Sequence, residues 1–119
     1  MSKQEHVIQA EIQLAASDSG IPLFRNNVGA YKTQEGYYVR YGVGGAGGSD
    51  LIGIAPIVIT PDMVGKTVGV FTAIEVKTKK GKPTEKQNKF IRSIKRLGAI
   101  AGVARSPAEA IEIIKNFKP

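Results

Sequence analysis

The sequence predicts an α/β fold in which a mixed β-sheet is flanked by helices. Apolar residues recur at helical spacing in the segments 4–17 and 84–97, which indicates two amphipathic helices. A mostly apolar segment, 67–77, is typical of a strand inside a sheet, and a second short apolar segment follows the later helix at 99–104. These segments form a strand–helix–strand unit, whose strands we expect to be parallel. At 119 residues the chain has room for one hydrophobic core, so we predict a single domain over residues 1–119.

The first half of the chain is predicted to contain a helix followed by antiparallel strands. The helix over 4–17 ends at Gly20, which is a plausible cap. A strand is expected over 21–28. A hairpin follows, with its turn at 34–36, and its second strand ends where the glycine-rich loop 42–48 begins.

After the glycine-rich loop, short strands are predicted at 49–53 and 57–60. A turn or helical step is then expected at 61–66. Thr84 can cap the clearest helix, and Pro107 suits the first position of the last one. The apolar positions expected to face the core are Phe90, Ile91, Ile94 and Leu97 in the first of these helices and Ala110, Ile111, Ile113 and Ile114 in the second.

Composition excludes several classes of protein. Apolar residues make up 42% of the chain, but no stretch of 18 uncharged apolar residues exists, so we expect no membrane partner. The absence of cysteine excludes disulfides and thiolate metal sites and fits a cytoplasmic protein. The single histidine, His6, excludes a zinc site built on several histidines of one chain. Any metal should therefore be a hard cation held by oxygen, such as Mg²⁺ or Mn²⁺.

Positive charge is concentrated in one segment. The net charge is +7, and residues 77–96 contain seven lysines and two arginines but one acid. Such a segment is typical of a protein that binds a polyanion, and the alternative is a lysine-rich surface that maintains solubility. Lys89, Arg92 and Arg96 share one helix face suited to phosphates. The residues predicted to bind DNA are Lys79, Lys80, Lys82, Lys86, Lys89, Arg92 and Arg96.

Two carboxylates and a lysine stand beside apolar segments. Glu75 and Lys77 are two apart on the predicted strand and so point to the same side of the sheet. Buried charges are costly without partners or a metal, and this residue set is the one used to hold a divalent ion that cleaves phosphodiesters. The alternatives are that Asp50 is a turn or cap residue and that Glu75 and Lys77 form a structural ion pair. Glu11 falls either within the apolar stripe of the first helix or at its rim.

The segment 42–47 matches the pattern G-x-G-x-x-G, which occurs in dinucleotide-binding folds. Those folds need a helix directly after the glycines, whereas Asp50 and an apolar strand follow here. We therefore expect no nucleotide cofactor. A flexible loop that lets a DNA backbone approach closely is the favoured interpretation.

Together, Glu11, Gly48-Ser49-Asp50, Glu75-Val76-Lys77 and Gln87 resemble the VRR-NUC family. This is the virus-type replication and repair nuclease branch of the PD-(D/E)XK superfamily. The resemblance runs from the first helix to the final strand and implies a restriction-endonuclease-like fold. Its most specific part is residues 73–77 followed by Gln87. Ser49 stands where the superfamily name has proline, as is usual in this branch.

The resemblance implies a role for each of these residues. Asp50, Glu75 and the backbone carbonyl of Val76 would ligate Mg²⁺ or Mn²⁺, with Glu11 binding the metal directly or through water. Lys77 would orient or activate the attacking water. The catalytic set implied by the resemblance is Asp50, Glu75, Lys77 and Gln87, with Gln87 supporting the site from its helix.

The resemblance also implies a function. The protein would be a metal-dependent endonuclease that acts on branched or duplex DNA, selects structure as Holliday-junction resolvases do, and works as a homodimer in phage or bacterial replication and repair. The alternative is a basic DNA-binding module without catalysis. Uncompensated acids argue against that alternative, because without a cation they repel phosphate.

Overall fold

The computed structural model of the protein describes residues 2–119 and confirms the α/β class. The first half contains α1 (Lys3–Asp18), β1 (Leu23–Arg25), β2 (Gly29–Lys32), β3 (Tyr38–Tyr41) and β4 (Leu51–Gly53). The second half contains β5 (Thr72–Val76), α2 (Glu85–Arg96), β6 (Ile100–Ala104) and α3 (Pro107–Lys115). Short 3₁₀ turns lie at Gly45–Gly47 and Pro61–Met63. No helix in residues 2–119 is long and apolar enough to cross a membrane.

Antiparallel and parallel strand pairs are both present, as the sequence predicts. β1 pairs with β4 and β2 with β3 in antiparallel fashion, whereas β5 and β6 are parallel and joined by α2. Over residues 2–119 these pairs form three two-stranded sheets. Within that range β5 has one hydrogen-bonded neighbour, and Val76 at its end is 73% exposed, so the expectation that this strand is central was wrong.

Several predicted strands differ from the observed ones. Of the strand expected over 67–77, only β5 is formed. The strand expected over 21–28 is limited to β1, and β2 already begins at Gly29. Residues 57–60 form no strand, and Ile57, Val58 and Ile59 are largely exposed. The segment lies between Pro56 and Pro61, and proline has no backbone N–H to donate to a neighbouring strand.

Contacts divide the chain between Ala55 and Pro56 into two units, called here the N-terminal and the C-terminal unit. In the N-terminal unit α1 packs against β1, where the Gln13 side-chain amide donates a hydrogen bond to the Leu23 carbonyl (3.2 Å). Ile54 and Gln9 are its buried residues. The prediction of one domain over 1–119 stays a prediction.

The C-terminal unit has its core where α2 and α3 pack against β6. Ile94 of α2 is the largest fully buried side chain in residues 2–119, at 1% exposure. A Cβ added at Gly102 would lie 2.9 Å from Ile113, so the glycine allows α3 to pack closely on the strand. Ile111 and Ile114, expected in the core, are exposed instead, so α3 buries a narrower face than its pattern predicts.

The helix ends follow the local sequence. Both α1 and α2 begin with a capping box, in which Ser2 pairs with Glu5 and Thr84 pairs with Gln87. The Ser106 side chain accepts a hydrogen bond from the Glu109 backbone N–H at the start of α3 (3.1 Å). Gly20 follows the end of α1 with a φ of 79°, a conformation that glycine adopts at low cost.

Candidate functional site

Asp50 lies at the edge of a cavity in the N-terminal unit. The cavity has a volume of about 280 Å³. Its lining residues are Glu5, Ile8, Gln9, Ile12, Asp50 and Leu51. Four of them come from α1 at positions that recur along one face of a helix. Asp50 is exposed, whereas Gln9 is 7% exposed, so the lining combines an accessible carboxylate with a buried amide.

Asn26 fixes the backbone around Asp50. Its backbone N–H donates to the Asp50 carbonyl (2.8 Å), which extends the antiparallel pairing of β1 and β4 by one residue. Its side-chain Nδ2 donates to the carbonyls of Val43 (2.8 Å) and Ser49 (2.9 Å). Its Oδ1 accepts from the Val43 N–H (2.9 Å). The Asn26 side chain therefore bonds to both ends of the glycine-rich loop. These bonds hold the chain that leads into Asp50 beside the end of β1.

Gly48, the first residue of the Gly-Ser-Asp segment, is required by this packing. A Cβ at this position would overlap the Val43 carbonyl oxygen and lie 3.2 Å from Asn26 Nδ2. Gly42 and Gly44 have φ values of 89° and 91°, which other residues rarely adopt. The loop is therefore shaped by hydrogen bonds and glycine conformation to deliver the chain to Asp50.

The acid of α1 that shares the cavity with Asp50 is Glu5. Glu11 is exposed and does not line the cavity, and its role as a metal ligand stays a prediction. The hydrogen bond from the Ser2 backbone N–H to Glu5 lowers the pKa of the Glu5 carboxyl below its ordinary value. Sequence reasoning missed Glu5 and Gln9, although the capping box and the i, i+4 spacing of these two polar residues were visible signals.

Glu75 and Lys77 lie together at the end of β5 in the C-terminal unit. Glu75 is opposite Val103 in the parallel ladder, and the Lys77 backbone N–H donates to the Ala104 carbonyl (3.1 Å). Lys77 Nζ and Glu75 Oε2 are 4.0 Å apart, with side chains 21% and 30% exposed. This is the ion pair weighed as the structural alternative. At this distance the pair contributes little to stability, and both side chains keep part of their surface exposed to solvent.

Glu75 also lines a cavity of about 250 Å³ between β5 and α2. Its lining residues are Ala73, Ile74, Glu75, Lys86, Gln87, Phe90 and Ile91. Gln87, predicted to support the site, accepts a hydrogen bond from the Thr84 N–H through Oε1 (2.8 Å). Gln87 is therefore both a member of the capping box of α2 and a lining residue of the cavity that Glu75 borders. Lys86 adds a cation to the lining.

Arg105 holds the turn that follows Lys77. Its guanidinium Nη2 donates to the Gly81 carbonyl (2.9 Å), and the Gly81 N–H donates to the Thr78 carbonyl (3.1 Å). The turn carries Lys79 and Lys80, which are both exposed. Sequence reasoning missed Arg105, because no local pattern connects it to a turn 24 positions earlier.

The donors present are chemically suited to Mg²⁺ or Mn²⁺. In residues 2–119 no three or more His, Cys, Asp or Glu side chains come together as a metal-binding cluster. Mg²⁺ keeps several waters and commonly uses one or two protein carboxylates, so a small set of oxygen donors is sufficient. Glu5 and Asp50 provide such donors in one unit, and Glu75 provides one in the other.

The basic residues predicted to contact DNA are all exposed. They are Lys79, Lys80, Lys82, Lys86, Lys89, Arg92 and Arg96. Arg92 forms an ion pair with Glu85 (2.9 Å), and the side chains of the pair are 57% and 80% exposed. Exposed pairs of this kind are weak, so the Arg92 guanidinium remains able to exchange this carboxylate for a phosphate.

A comparison with protein-family models matches residues 5–108 to the VRR-NUC domain. The matched range includes the carboxylates of both cavities, the Glu75-Val76-Lys77 segment and Gln87. Neither the comparison with curated proteins nor the comparison with solved structures gave a match.

Proposed function

This chain belongs to the VRR-NUC family of nucleases, and from that premise we propose that it is a metal-dependent endonuclease that hydrolyses DNA phosphodiester bonds. The observation that carries the proposal is the position of Glu75 and Lys77 at the end of β5. Each is only partly exposed, and Glu75 lines a cavity with Lys86 and Gln87. Partly buried acids beside cations are typical of sites that bind phosphate through a metal.

The family resemblance implies that Asp50, Glu75 and the Val76 carbonyl would hold Mg²⁺ or Mn²⁺. Glu5 replaces Glu11 as the favoured acid of α1, because Glu5 lines the cavity at Asp50. The bound ion would supply charge neutralisation at the phosphoryl group and acidify a water molecule. Asn26 and Gly48 keep the backbone of Asp50 in place, so losing either should reduce activity without removing a ligand.

Lys77 is proposed to act on the phosphate and the attacking water. Its ammonium lies 4.0 Å from Glu75, which is too long for a strong hydrogen bond. The ammonium can therefore turn from the carboxylate toward the substrate. There it would orient water and balance the negative charge that develops on the phosphate oxygens. Gln87 keeps its capping bond and borders the cavity that Glu75 lines.

The proposed substrate is DNA, bound through the exposed basic residues that follow β5. A finer part of the proposal is that the enzyme selects branched DNA, as Holliday-junction resolvases do, and serves phage or bacterial replication and repair. A homodimer would supply two active sites, which is what paired cuts across a junction require. The family resemblance supports this part of the proposal.

Cleavage of supercoiled plasmid and of four-way junctions, with Mg²⁺, with Mn²⁺ and with a chelator, tests the proposal. Parent protein should cut only with metal, and Glu75→Gln and Lys77→Ala should each lower the rate by about 100-fold or more, equivalent to roughly 2.7 kcal/mol of barrier. Glu112→Gln and Lys115→Ala on α3 are matched controls and should cleave like the parent. Equal rates for the β5 variants and their controls would rule the assignment out.

A second candidate function, DNA binding without catalysis, is favoured by the exposed basic residues alone. It predicts salt-sensitive binding to DNA and no strand scission with any metal. The same plasmid and junction assays, run beside a binding measurement, separate the two functions.

A further inference from the structure

The β2–β3 ribbon carries an aromatic and basic face that the nuclease chemistry does not use. We propose that this face, here called the ribbon face, stacks an unpaired base of the DNA and holds its flanking phosphates. The ribbon face consists of Ala30, Lys32, Tyr38 and Arg40. The inference rests on the proposed function for the identity of the polymer, and it adds a preference for single-stranded segments.

The two faces of the ribbon differ. On one face, Tyr31 and Tyr41 pack against each other with ring centroids 6.5 Å apart and planes tilted by 37°. The Tyr41 ring also covers Gly29, where a Cβ would overlap it. These two tyrosines therefore have a structural partner within the ribbon.

The other face presents Tyr38 between two cations. The strand register places Lys32 directly opposite Tyr38 and Ala30 opposite Arg40, and residues two apart on β3 share a side. All four residues are exposed, and Tyr38 is 73% exposed. Ala30 is small and leaves the space beside Arg40 open. The face therefore combines one accessible ring with two positive charges.

This combination fits single-stranded nucleic acid. A base stacks on an exposed aromatic ring whatever its identity, while neighbouring lysine and arginine bind the backbone phosphates. In a duplex both faces of each base are already covered by stacking, so an exposed ring selects an unpaired base. Positive charge also disfavours a second copy of this chain as the occupant, because a symmetric contact would bring two lysines and two arginines together.

Tyrosine fluorescence offers a direct readout of stacking. The chain has no tryptophan and four tyrosines, and all four lie in residues 31–41. Emission from the protein therefore reports on the ribbon. Titration with a single-stranded oligothymidine in the presence of a chelator, which prevents cleavage, should quench this emission in the parent and in the α3 control Glu112→Gln.

The decisive comparison is between Tyr38→Leu and Tyr38→Phe, with binding followed by the anisotropy of a labelled oligonucleotide. Tyr38→Leu should weaken single-strand binding by about tenfold and leave duplex binding unchanged, while Tyr38→Phe should bind like the parent. The double variant Lys32→Ala, Arg40→Ala should weaken binding and reduce its salt dependence. Circular dichroism checks that each variant is folded. We expect all of them to fold, because substitutions at exposed positions usually change stability little.

Three outcomes would overturn the inference: unchanged single-strand binding by Tyr38→Leu, equal losses on single-stranded and duplex DNA, or a concentration-dependent dimer that Tyr38→Leu dissociates. Binding is measured without metal, so its result is independent of cleavage. If the parent binds single-stranded DNA as expected but cleaves no DNA with either metal, the proposed function is contradicted and the inference about the ribbon face is not.

Discussion

At the scale of single residues, Asn26 connects the glycine-rich loop 42–48 to the end of β1. Three of its side-chain hydrogen bonds go to Val43 and Ser49, and its backbone N–H reaches the Asp50 carbonyl. The side-chain amide donates a hydrogen bond to one carbonyl at each end of the loop and accepts one from the Val43 N–H. An aspartate at this position has no donor for the two carbonyls.

Replacing Asn26 should therefore affect both stability and activity. Asn26→Ala removes three hydrogen bonds of about 0.5–1.5 kcal/mol each, so we expect a loss of roughly 1.5–4.5 kcal/mol in the free energy of unfolding. Urea denaturation measures this loss, and DNA cleavage should fall because Asp50 is no longer held. Asn27→Ala, at the exposed neighbouring position, is the control. If the two variants are equally stable, Asn26 does not anchor the loop.

A substitution at Glu5 can distinguish its role in the capping box of α1 from its proposed role as a metal ligand. Gln is accepted at the third position of a capping box as well as Glu, so Glu5→Gln keeps the cap of α1 and removes the negative charge. Because the cap is kept, we expect the free energy of unfolding at neutral pH to stay close to that of the parent and the cleavage rate to fall strongly. Cleavage equal to that of the parent would remove Glu5 from the proposed metal site.

The pH dependence of stability provides a further test of Glu5. Because the pKa of Glu5 is lowered in the folded protein, its carboxylate stabilises the fold above the ordinary glutamate pKa. That contribution is lost as the pH falls through the lowered pKa. Denaturation of parent and Glu5→Gln between neutral and acidic pH should show a smaller acid destabilisation in the variant. Parallel pH profiles would contradict the lowered pKa.

At the scale of elements, the sequence predicted the helices better than the strands. The capping residues Ser106 and Thr84 and the closing Gly98 act within one or two turns, so their signals are local and the ends of α2 and the start of α3 agree with the prediction. Strands depend on partners distant in sequence. The apolar residues 57–60 therefore looked like a strand and are not one.

The candidate site shows the same division. The shared position of Glu75 and Lys77 follows from strand geometry and was predictable from their spacing. The partners of Asp50 were not predictable from the sequence. Asn26 comes close to Asp50 only because the glycine-rich loop has a shape that depends on Gly48 and on hydrogen bonds to the backbone. Glu11 was predicted from the apolar stripe of α1 and from the family resemblance, and its role as a metal ligand stays a prediction.

The cap of α2 can be tested on its own. Thr84→Ala should lower the unfolding free energy by about 1 kcal/mol, because the Thr84 side chain accepts a hydrogen bond from the Gln87 N–H. The loss should appear as a shift of the urea midpoint. Thr67→Ala, at an exposed position outside the helices, is the matched control and should change stability by less than about 0.5 kcal/mol. Equal effects would mean that the cap contributes nothing.

At the scale of the whole molecule, the net charge of +7 is concentrated in one segment and should dominate DNA affinity. Each phosphate contact contributes about 0.9 to the slope of log affinity against log salt for duplex DNA. The double variant Lys89→Ala, Arg96→Ala should therefore lower the slope by roughly 2. Fluorescence anisotropy over a range of salt concentrations measures it. Lys115→Ala, Lys118→Ala removes the same charge elsewhere, and an equal reduction there would show that net charge alone sets the affinity.

The most direct measurement is calorimetric titration of Mn²⁺ into the parent protein, Asp50→Asn, Glu75→Gln and the control Glu112→Gln. The account predicts that the parent and the control bind Mn²⁺ alike. Each of the other two variants should bind at least about tenfold more weakly, equivalent to roughly 1.4 kcal/mol, because each has lost a carboxylate ligand. Affinity equal to that of the parent in both Asp50→Asn and Glu75→Gln would contradict the claim that these carboxylates hold the catalytic metal.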